Sequence, residues 1–233
     1  MTPTTRLLIT AGPTHEPIDA VRALVNRSSG RLGCALADAA AERGWDVRLL
    51  LGPTPLRPAN PAVEVSSFQT TAELGALLKQ HFGACDVLVM AAAVADFRPA
   101  DPDPGTKLRR TDAGLTLTLE PTPDLLAGIA AKARPDQTLI GFALEPIETM
   151  LESARGKLAR KQVHAIVANP LETMDSASID ATLVGAAGSG FAPEEPAGGS
   201  MTKPEFADWL LDRIERAHAA VRGMTEEGRT PDG

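Results

Sequence analysis

The sequence predicts an α/β fold in which a doubly wound, mostly parallel sheet carries helices on both faces. Short apolar segments of strand length alternate along the chain with segments whose apolar residues recur every three or four positions, which is the pattern of amphipathic helices. One segment, residues 86–94, is continuously apolar, as expected of a central parallel strand covered on both sides. Strands that alternate with amphipathic helices in this way indicate a Rossmann-like sheet.

The first half of the chain supplies most of this pattern. A buried strand at residues 6–10 ends at the turn around Gly12, and a helix that opens at Ser28 ends at Gly44. The apolar spacing then predicts strands at 46–51 and 63–66, a helix at 70–82 and the central strand at 86–94.

The second half begins with a loop at residues 96–105, which is rich in proline and aspartate and is expected to be long and irregular. Alternating Leu and Thr predict a half-exposed strand at 115–119. The remaining predicted elements are a helix from Pro123, a strand at 137–143, a helix from 148 to about 161, strands at 163–168 and 179–184, and a helix at 203–221. Residues 185–200 read as a surface loop. We expect one domain over residues 1–222 and a mobile tail over 223–233.

The composition narrows the class of protein. A net charge of −7 and a pI of about 5.2 argue against nucleic acid as the main partner. No apolar run reaches the roughly 18 residues of a membrane span, and no secretory signal opens the chain, so a cytoplasmic protein without membrane contact is expected. The two cysteines lie in apolar segments and are expected to be reduced core thiols, and the four scattered histidines do not have the spacing of a zinc site.

Ligands of such sheets bind at the carboxyl ends of the strands. A dinucleotide is not favoured there, because Gly12-Pro13-Thr14 follows the first strand in place of a Gly-x-Gly-x-x-Gly turn. The second strand also ends at Leu51-Gly52, without the acidic residue that binds a ribose hydroxyl.

Three segments could instead bind an anionic ligand, and each has an ordinary structural alternative. Ser28-Ser29-Gly30 opens a helix and could hold phosphate, or could only cap the helix. The small residues Ala91–Ala93, followed by Asp96, could let a ring or a phosphate chain lie against the backbone, or could only pack tightly. The basic residues at 107–110 and 157–161 could neutralise a polyphosphate, or could be solvated surface.

Together these segments resemble one family. The resemblance rests on Thr10–Thr14, Asn26–Gly33, Ala91–Arg98, Lys107–Arg110, Gly141-Phe142-Ala143 and Lys157–Asn169, which occur in the same order over about residues 5–221. The sequence is similar to phosphopantothenate–cysteine ligase, the phosphopantothenoylcysteine synthetase of coenzyme A biosynthesis. In bacteria that enzyme is often fused behind a flavin-dependent decarboxylase. Pro146 and His164 depart from the usual pattern of the family.

The resemblance implies a CTP-dependent ligase that joins 4'-phosphopantothenate to cysteine through an acyl-cytidylate. It implies Asn26 and Lys107 as catalytic residues and Arg22, Asn26, Ala92 and Ala93 as substrate-binding residues. The implied nucleotide-binding residues are Ser28, Ser29, Gly30, Met90, Ala91, Ala92, Asp96, Lys107, Pro123, Asp124, Leu125, Leu126, Phe142, Lys157 and Lys161.

The resemblance also implies Mg²⁺ with CTP as co-substrate, although the metal ligands are unknown, and a homodimer with a separate or fused decarboxylase as partner. Lys107 would lie at the far end of a loop, residues 97–110, that is poorly ordered in the free enzyme and closes over the site; the alternative is a rigid surface loop. Two other functions remain open, a nucleotide- or flavin-binding oxidoreductase and a catalytically inactive, nucleotide-binding regulatory protein.

Overall fold

A computed structural model describes residues 4–110, 112, 114–174 and 176–227. Its helices are α1 (Arg31–Glu42), α2 (Thr71–His81), α3 (Leu125–Ala130), α4 (Met150–Lys161) and α5 (Lys203–Glu227). Its strands are β1 (Arg6–Ala11), β2 (His15–Pro17), β3 (Ala23–Val25), β4 (Asp46–Leu51), β5 (Glu64–Ser67), β6 (Val87–Met90), β7 (Phe97–Pro99), β8 (Leu119–Pro121), β9 (Thr138–Glu145), β10 (Ala165–Pro170), β11 (Ser178–Ile179), β12 (Thr182–Gly185), β13 (Glu195–Pro196) and β14 (Met201–Thr202).

The central sheet has the strand order β13-β12-β10-β9-β6-β1-β4-β5. The six strands from β10 to β5 are mutually parallel, and β12 and β13 extend the β10 edge in antiparallel pairing. The chain winds outward from β1 through β4 to β5 and then returns to β6 on the other side of β1. This reversal opens a crevice at the carboxyl ends of β1 and β6, where ligands of such sheets bind.

Both faces of the sheet are covered, so the predicted fold class is confirmed. Alternate residues of β1 face opposite sides: Leu7 and Ile9 pack with α1 and α5, whereas Leu8 packs with α2, α3 and α4. The contact between β1 and α1 is close, because a Cβ on Gly33 would lie 2.2 Å from the Cβ of Ala11.

Both cysteines are buried free thiols, as expected. Within the described residues, no helix has the length and apolarity that a membrane crossing requires.

Several predicted boundaries are wrong, most of them where a local contact ends a regular strand. The central strand stops at Met90 rather than at 94, because the next residues bond to the segment after β1 through the Ala93 amide and the Gly12 carbonyl, 2.9 Å apart. The strand expected at 179–184 is divided into β11, which pairs with β14, and β12, which pairs with β10. The last helix continues to Glu227, so residues 223–227 of the predicted tail are helical, and 228–233 lie outside the described residues.

Two small antiparallel ribbons beside the crevice were not predicted. One is formed by β2 and β3, the other by β7 and β8. The second ribbon corrects two expectations, because the loop at 96–105 contains a paired strand and the strand expected at 115–119 is regular only over Leu119–Pro121. Strands of three residues are too short to show a periodic pattern in sequence.

Candidate functional site

The crevice between β1 and β6 opens on two cavities, one on each face of the sheet, each with a volume of about 190 Å³. The Ser28 cavity lies on the α1 and α5 side, and the Asp96 cavity lies on the α3 and α4 side. The half-buried Phe142, at the carboxyl half of β9, lines both cavities. Its neighbour Gly141 has no room for a side chain, since a Cβ there would lie 2.7 Å from Leu126 and 2.8 Å from Ile166.

The Ser28 cavity contains the amino end of α1. Gly30 caps this helix in the left-handed conformation, with φ of 72°, and supplies no side-chain hydrogen bond to it. The cavity is lined by the predicted residues Ser28, Ser29, Gly30, Ala91, Ala93 and Phe142, together with Arg27, Arg31 and Lys203. A helix amino end with three basic residues around it favours an anionic ligand.

The Asp96 cavity contains the amino end of α3. Nine predicted residues line it: Met90, Ala92, Asp96, Pro123, Asp124, Leu125, Leu126, Phe142 and Lys161. The Asp124 carboxylate caps α3 by accepting from the Ala127 amide at 3.0 Å, and it also pairs with the Lys161 ammonium at 3.1 Å. Burial alone would raise the pKa of Asp124, but these two partners together hold it below its usual value.

Asp96 is the group in this cavity best placed to bind a polar ligand. Its side chain is exposed, and it has no hydrogen bond to any residue that the structure describes, although its backbone carbonyl accepts from the Thr122 amide at 2.9 Å. A carboxylate is an acceptor with room for several donors, which suits the amino group of a base or the hydroxyl groups of a sugar.

Asn26 adjoins residues of both cavities without lining either. Its Nδ2 donates to the carbonyl of Val94, which lines the Asp96 cavity, at 3.0 Å, and the following residue, Arg27, lines the Ser28 cavity. An amide nitrogen carries two hydrogens, so one can still be donated to a ligand after the bond to Val94 is made. Asn26 is therefore held beside the wall of the Asp96 cavity, one residue from the wall of the Ser28 cavity.

Lys107 and Arg22 also lie outside both cavities. The exposed Lys107 is held on each side: the Thr106 carbonyl accepts from the Ala20 amide at 3.1 Å, and the Leu108 amide donates to Asp19 at 3.1 Å. The Arg22 guanidinium pairs with the Asp19 carboxylate and donates to the Leu108 carbonyl at 2.9 Å.

These bonds fasten the end of the loop to the turn between β2 and β3. The carboxylate of Asp19 is fully buried, and the Arg22 guanidinium, followed by the amides of Val21, Arg22 and Leu108, lowers the pKa of Asp19 well below its usual range. The loop expected to be poorly ordered is thus anchored at Asp103–Leu108, and Arg22 serves as part of its anchor rather than as a cavity wall.

The remaining predicted residue, Lys157, is paired outside the cavities. Its ammonium lies 2.7 Å from the Glu145 carboxylate at the end of β9, and this contact is the main reason that the pKa of Glu145 is lowered. Lys157 and Lys161 share one side of α4, as their spacing predicts, but only Lys161 reaches a cavity.

The sequence analysis missed Lys203, which lines the Ser28 cavity from the first residue of α5. The signal was present in Thr202-Lys203-Pro204-Glu205, because a Thr followed three residues later by Glu predicts a helix start and places the lysine in the first turn. What the sequence could not show is that this helix begins beside the start of α1, more than 170 residues earlier in the chain.

The structure does not favour a dinucleotide site. The turn after β1 is packed, since a Cβ on Gly52 would lie 2.1 Å from the Pro13 carbonyl oxygen, and α1 begins only at Arg31. A bound metal would need ligands from elsewhere: among the described residues, no three His, Cys, Asp or Glu side chains are grouped closely enough to hold an ion.

Comparisons with known proteins agree with this geometry. The family described as the DNA/pantothenate metabolism flavoprotein C-terminal domain matches residues 3–217. A cysteine/cysteine sulfinic acid decarboxylase from an unknown prokaryotic organism is 42% identical over 72% of this chain and 46% of its own length. The coenzyme A biosynthesis bifunctional protein CoaBC of Bacillus subtilis is 39% identical over 71% of this chain and 40% of its own length.

The chain thus spans less than half the length of these two relatives. A crystal structure of the C-terminal domain of a bifunctional CoaBC protein is similar throughout, with a TM-score of 0.75 and 33% identity. The match covers 91% of this chain and 94% of the chain in that crystal structure.

Proposed function

We propose that this chain, which belongs to the DNA/pantothenate metabolism flavoprotein C-terminal domain family, is a ligase that joins 4'-phosphopantothenate to cysteine with consumption of CTP. The observation that carries the proposal is the pair of cavities that meet at Phe142, with Asn26 adjoining residues of both. The function fits relatives named for coenzyme A biosynthesis. The missing dinucleotide turn counts against an oxidoreductase on the same fold.

The nucleotide would occupy both cavities. Its cytosine and ribose would lie in the Asp96 cavity, where the charge of Lys161 is balanced by Asp124 and the Asp96 carboxylate can accept hydrogen bonds. Its triphosphate would extend past Phe142 into the Ser28 cavity, whose helix amino end and basic residues suit negative charge. The α-phosphate would then lie near Asn26.

In the first step, an oxygen of the substrate carboxylate attacks the α-phosphorus of CTP. The new acyl–phosphate bond forms as the bond to the β-phosphate oxygen breaks, and pyrophosphate departs with that electron pair. Asn26 can donate its second amide hydrogen to an oxygen of the acyl-cytidylate that forms and, in the second step, to the oxyanion that develops on it, while its first hydrogen stays bonded to the Val94 carbonyl.

In the second step, the cysteine amine attacks the acyl carbon. CMP leaves with the bonding electrons, the nitrogen loses a proton and the amide remains. The acyl-cytidylate would hydrolyse in open water, so the loop that ends at Lys107 is proposed to cover it and to bring a cation to the phosphates. The anchor at Asp19 and Arg22 fixes the backbone on both sides of Lys107, so the movement proposed here is that of the Lys107 side chain and of the loop before Asp103.

Mg²⁺ is proposed to arrive on the triphosphate. The described residues do not form a cage of carboxylates, and magnesium in nucleotide sites commonly keeps several waters while binding phosphate oxygens and one or two side chains. When bound, it would neutralise part of the phosphate charge.

A homodimer is also proposed, and the ribbons beside the crevice support it. They expose apolar side chains, with Phe97 54%, Val25 50% and Leu119 44% accessible. Val25 directly precedes Asn26 and Phe97 directly follows Asp96, so a second copy placed here would border the site. Light scattering should give twice the chain mass; a monomer with full activity would refute this arrangement.

A decarboxylase, fused or separate, is the proposed partner in the pathway. The bifunctional relatives extend well beyond the region that this chain matches, and the thiol-bearing amide formed here would be the substrate of such an enzyme.

The deciding experiment measures pyrophosphate release from CTP, and separately from ATP, with and without 4'-phosphopantothenate and cysteine. We expect CTP and 4'-phosphopantothenate alone to release pyrophosphate and to leave a trappable acyl-cytidylate, and cysteine to convert it to the amide. Release that requires cysteine from the outset would contradict the order of steps, and no release with any combination would contradict the ligase.

A further inference from the structure

Lys203 is fixed at the first position of α5 by a reciprocal pair of bonds. The Thr202 hydroxyl accepts from the Glu205 amide at 3.4 Å, and the Glu205 carboxylate accepts from the Thr202 amide at 2.9 Å and from its hydroxyl at 2.8 Å. The Lys203 amide also donates to the Ala177 carbonyl at 3.3 Å. These bonds hold the backbone, so the place of the lysine does not depend on its own charge.

This position is unfavourable for a cation in three ways. Lys203 is only 9% exposed, and burial disfavours the charged ammonium. It stands in the first turn of a helix, where the helix dipole is positive. The basic residue Arg31 of α1 lines the same cavity, and burial, followed by the Arg31 charge, lowers the pKa of Lys203.

Nothing in the described part of the chain compensates for these costs. The Lys203 ammonium makes no hydrogen bond or ion pair with a described residue. Lys161 in the Asp96 cavity is also mostly buried, but it lies 3.1 Å from the Asp124 carboxylate. A buried cation without a partner among the described residues, held beside a helix amino end whose cap Gly30 offers no side chain, points to an anionic ligand in the Ser28 cavity.

We infer that Lys203 binds the terminal phosphates of the nucleotide, and the pyrophosphate formed from them, in the Ser28 cavity. That the ligand is a nucleotide rests on the proposed function. The preference for a polyphosphate over a single carboxylate rests on the number of donors: the hydroxyls of Ser28 and Ser29, the Leu32 and Gly33 amides in the first turn of α1 and the guanidinium of Arg31 line the same cavity.

This placement gives Lys203 a part in the first step. As the bond between the α-phosphorus and the bridging oxygen breaks, negative charge accumulates on the departing pyrophosphate. An ammonium held in a site with little water stabilises that charge without reorganising. Lys107 would approach the phosphates from the loop outside, whereas Lys203 is in place before the ligand arrives.

The test uses the full chain and inorganic pyrophosphate alone as the probe, so it does not depend on activity. Pyrophosphate binding is measured by calorimetry, and the melting temperature is measured with and without pyrophosphate, for the wild type, Lys203→Met and Lys203→Arg. We expect Lys203→Met to weaken pyrophosphate binding by roughly 10- to 100-fold, as for the loss of a hydrogen bond to a charged group, and Lys203→Arg to retain most of the affinity.

Two matched variants control for general effects of removing a lysine. Lys161→Met removes the paired lysine of the other cavity, and Lys79→Met removes an exposed lysine of α2. Neither should change pyrophosphate affinity by as much as Lys203→Met. Without ligand, Lys203→Met should also melt at a higher temperature than the wild type, because an unpaired buried charge is replaced by an apolar chain of similar length. Lys161→Met should melt lower, because it leaves Asp124 without its partner.

Pyrophosphate affinity decides the outcome. Equal affinity in the wild type and in Lys203→Met overturns the inference, whatever the melting temperatures are, and leaves the ligase proposal standing if CTP-dependent pyrophosphate release persists. Conversely, a wild type that releases no pyrophosphate from any nucleotide, but binds inorganic pyrophosphate through Lys203, refutes the ligase and keeps the anion site.

Discussion

The two cavities at the carboxyl edge of the sheet are equal in volume and share Phe142, but their charges are arranged differently. In the Asp96 cavity the lysine is paired with a carboxylate of the chain itself, which in turn caps a helix. In the Ser28 cavity the buried Lys203 has no partner among the described residues. The lysine of the first cavity therefore has its counter-charge within the chain, whereas the described residues supply none for the lysine of the second.

This difference separates two kinds of recognition. A site whose lysine is already paired can select a neutral polar group by hydrogen bonding, because the ligand need not bring a counter-charge for that lysine. A site with an uncompensated buried cation strongly favours an anionic ligand. The protein is then less stable without the anion than with it bound. The proposed nucleotide, with a neutral base at one end and phosphates at the other, would satisfy both cavities at once.

Because Lys107 lies outside both cavities, its substitution tests whether the two cavities alone are sufficient for turnover. We expect Lys107→Ala to lower turnover by roughly 10²- to 10³-fold, the usual cost of losing one group that stabilises charge in a transition state. The melting temperature should hardly change, since the Lys107 side chain is exposed and the neighbouring backbone bonds remain. Steady-state pyrophosphate release and a melting curve measure the two effects.

Lys79→Ala, which removes an exposed lysine from α2, is the control for lost surface charge. Proteolysis between residues 101 and 105 should also slow when CTP and 4'-phosphopantothenate are both bound. An active Lys107→Ala protein, with equal proteolysis in the presence and absence of ligands, would show that the loop is a bystander and that the cavities act alone.

Asn26 tests whether one ligand spans the two cavities. In Asn26→Asp a carboxylate would face the reacting phosphate and carbonyl oxygens, and the repulsion should slow amide formation by roughly 10²-fold or more. The acyl-cytidylate should accumulate, because the second step loses its donor. Rapid-quench analysis of radiolabelled CTP would detect it.

Asn26→Ala separates the added charge from the lost donor, and it should be impaired less than Asn26→Asp. If Asn26→Asp turns over at nearly the normal rate, the reacting centre does not lie between the cavities, and the two would have to bind separate molecules.

Much of this arrangement could be predicted from sequence, because it follows from periodic patterns and local turns. The doubly wound, mostly parallel sheet follows from alternating strands and helices, and the small residues Ala91–Ala93 follow the end of β6, where they line the cavities. Fourteen of the predicted site residues line one cavity or the other.

The sequence could not predict the pairings between distant segments. Arg22 resembles a substrate-binding residue, but the structure pairs it with the buried Asp19 and with Leu108, a contact across 86 positions. Lys203 has the sequence pattern of an ordinary helix start, and only the packing of α5 beside α1 brings it into a cavity with Ser28. Such contacts depend on tertiary structure, which a local pattern does not encode.

The smallest expected effect is a pH dependence confined to the Ser28 cavity. Because the folded protein disfavours the Lys203 ammonium, the pKa of this group is lower in the folded chain than the ordinary value of 10.5 expected in the unfolded chain. Between those two values the unfolded chain binds more protons, so the free energy of unfolding should rise with pH in that window. Lys203→Met lacks the group, and its stability advantage over the wild type should therefore narrow as the pH approaches 10.5.

Denaturant unfolding of both proteins at several pH values measures this difference. The thiols of Cys34 and Cys85 titrate equally in both proteins and cancel, and the facing Arg27 and Arg31 are present in both proteins. At saturating pyrophosphate, the stability difference between the two proteins should no longer narrow with pH, since an anion beside Lys203 favours the charged form of its side chain. A stability difference that stays constant with pH, with or without pyrophosphate, would mean that Lys203 is solvated like a surface lysine and that the two cavities do not differ in charge as described.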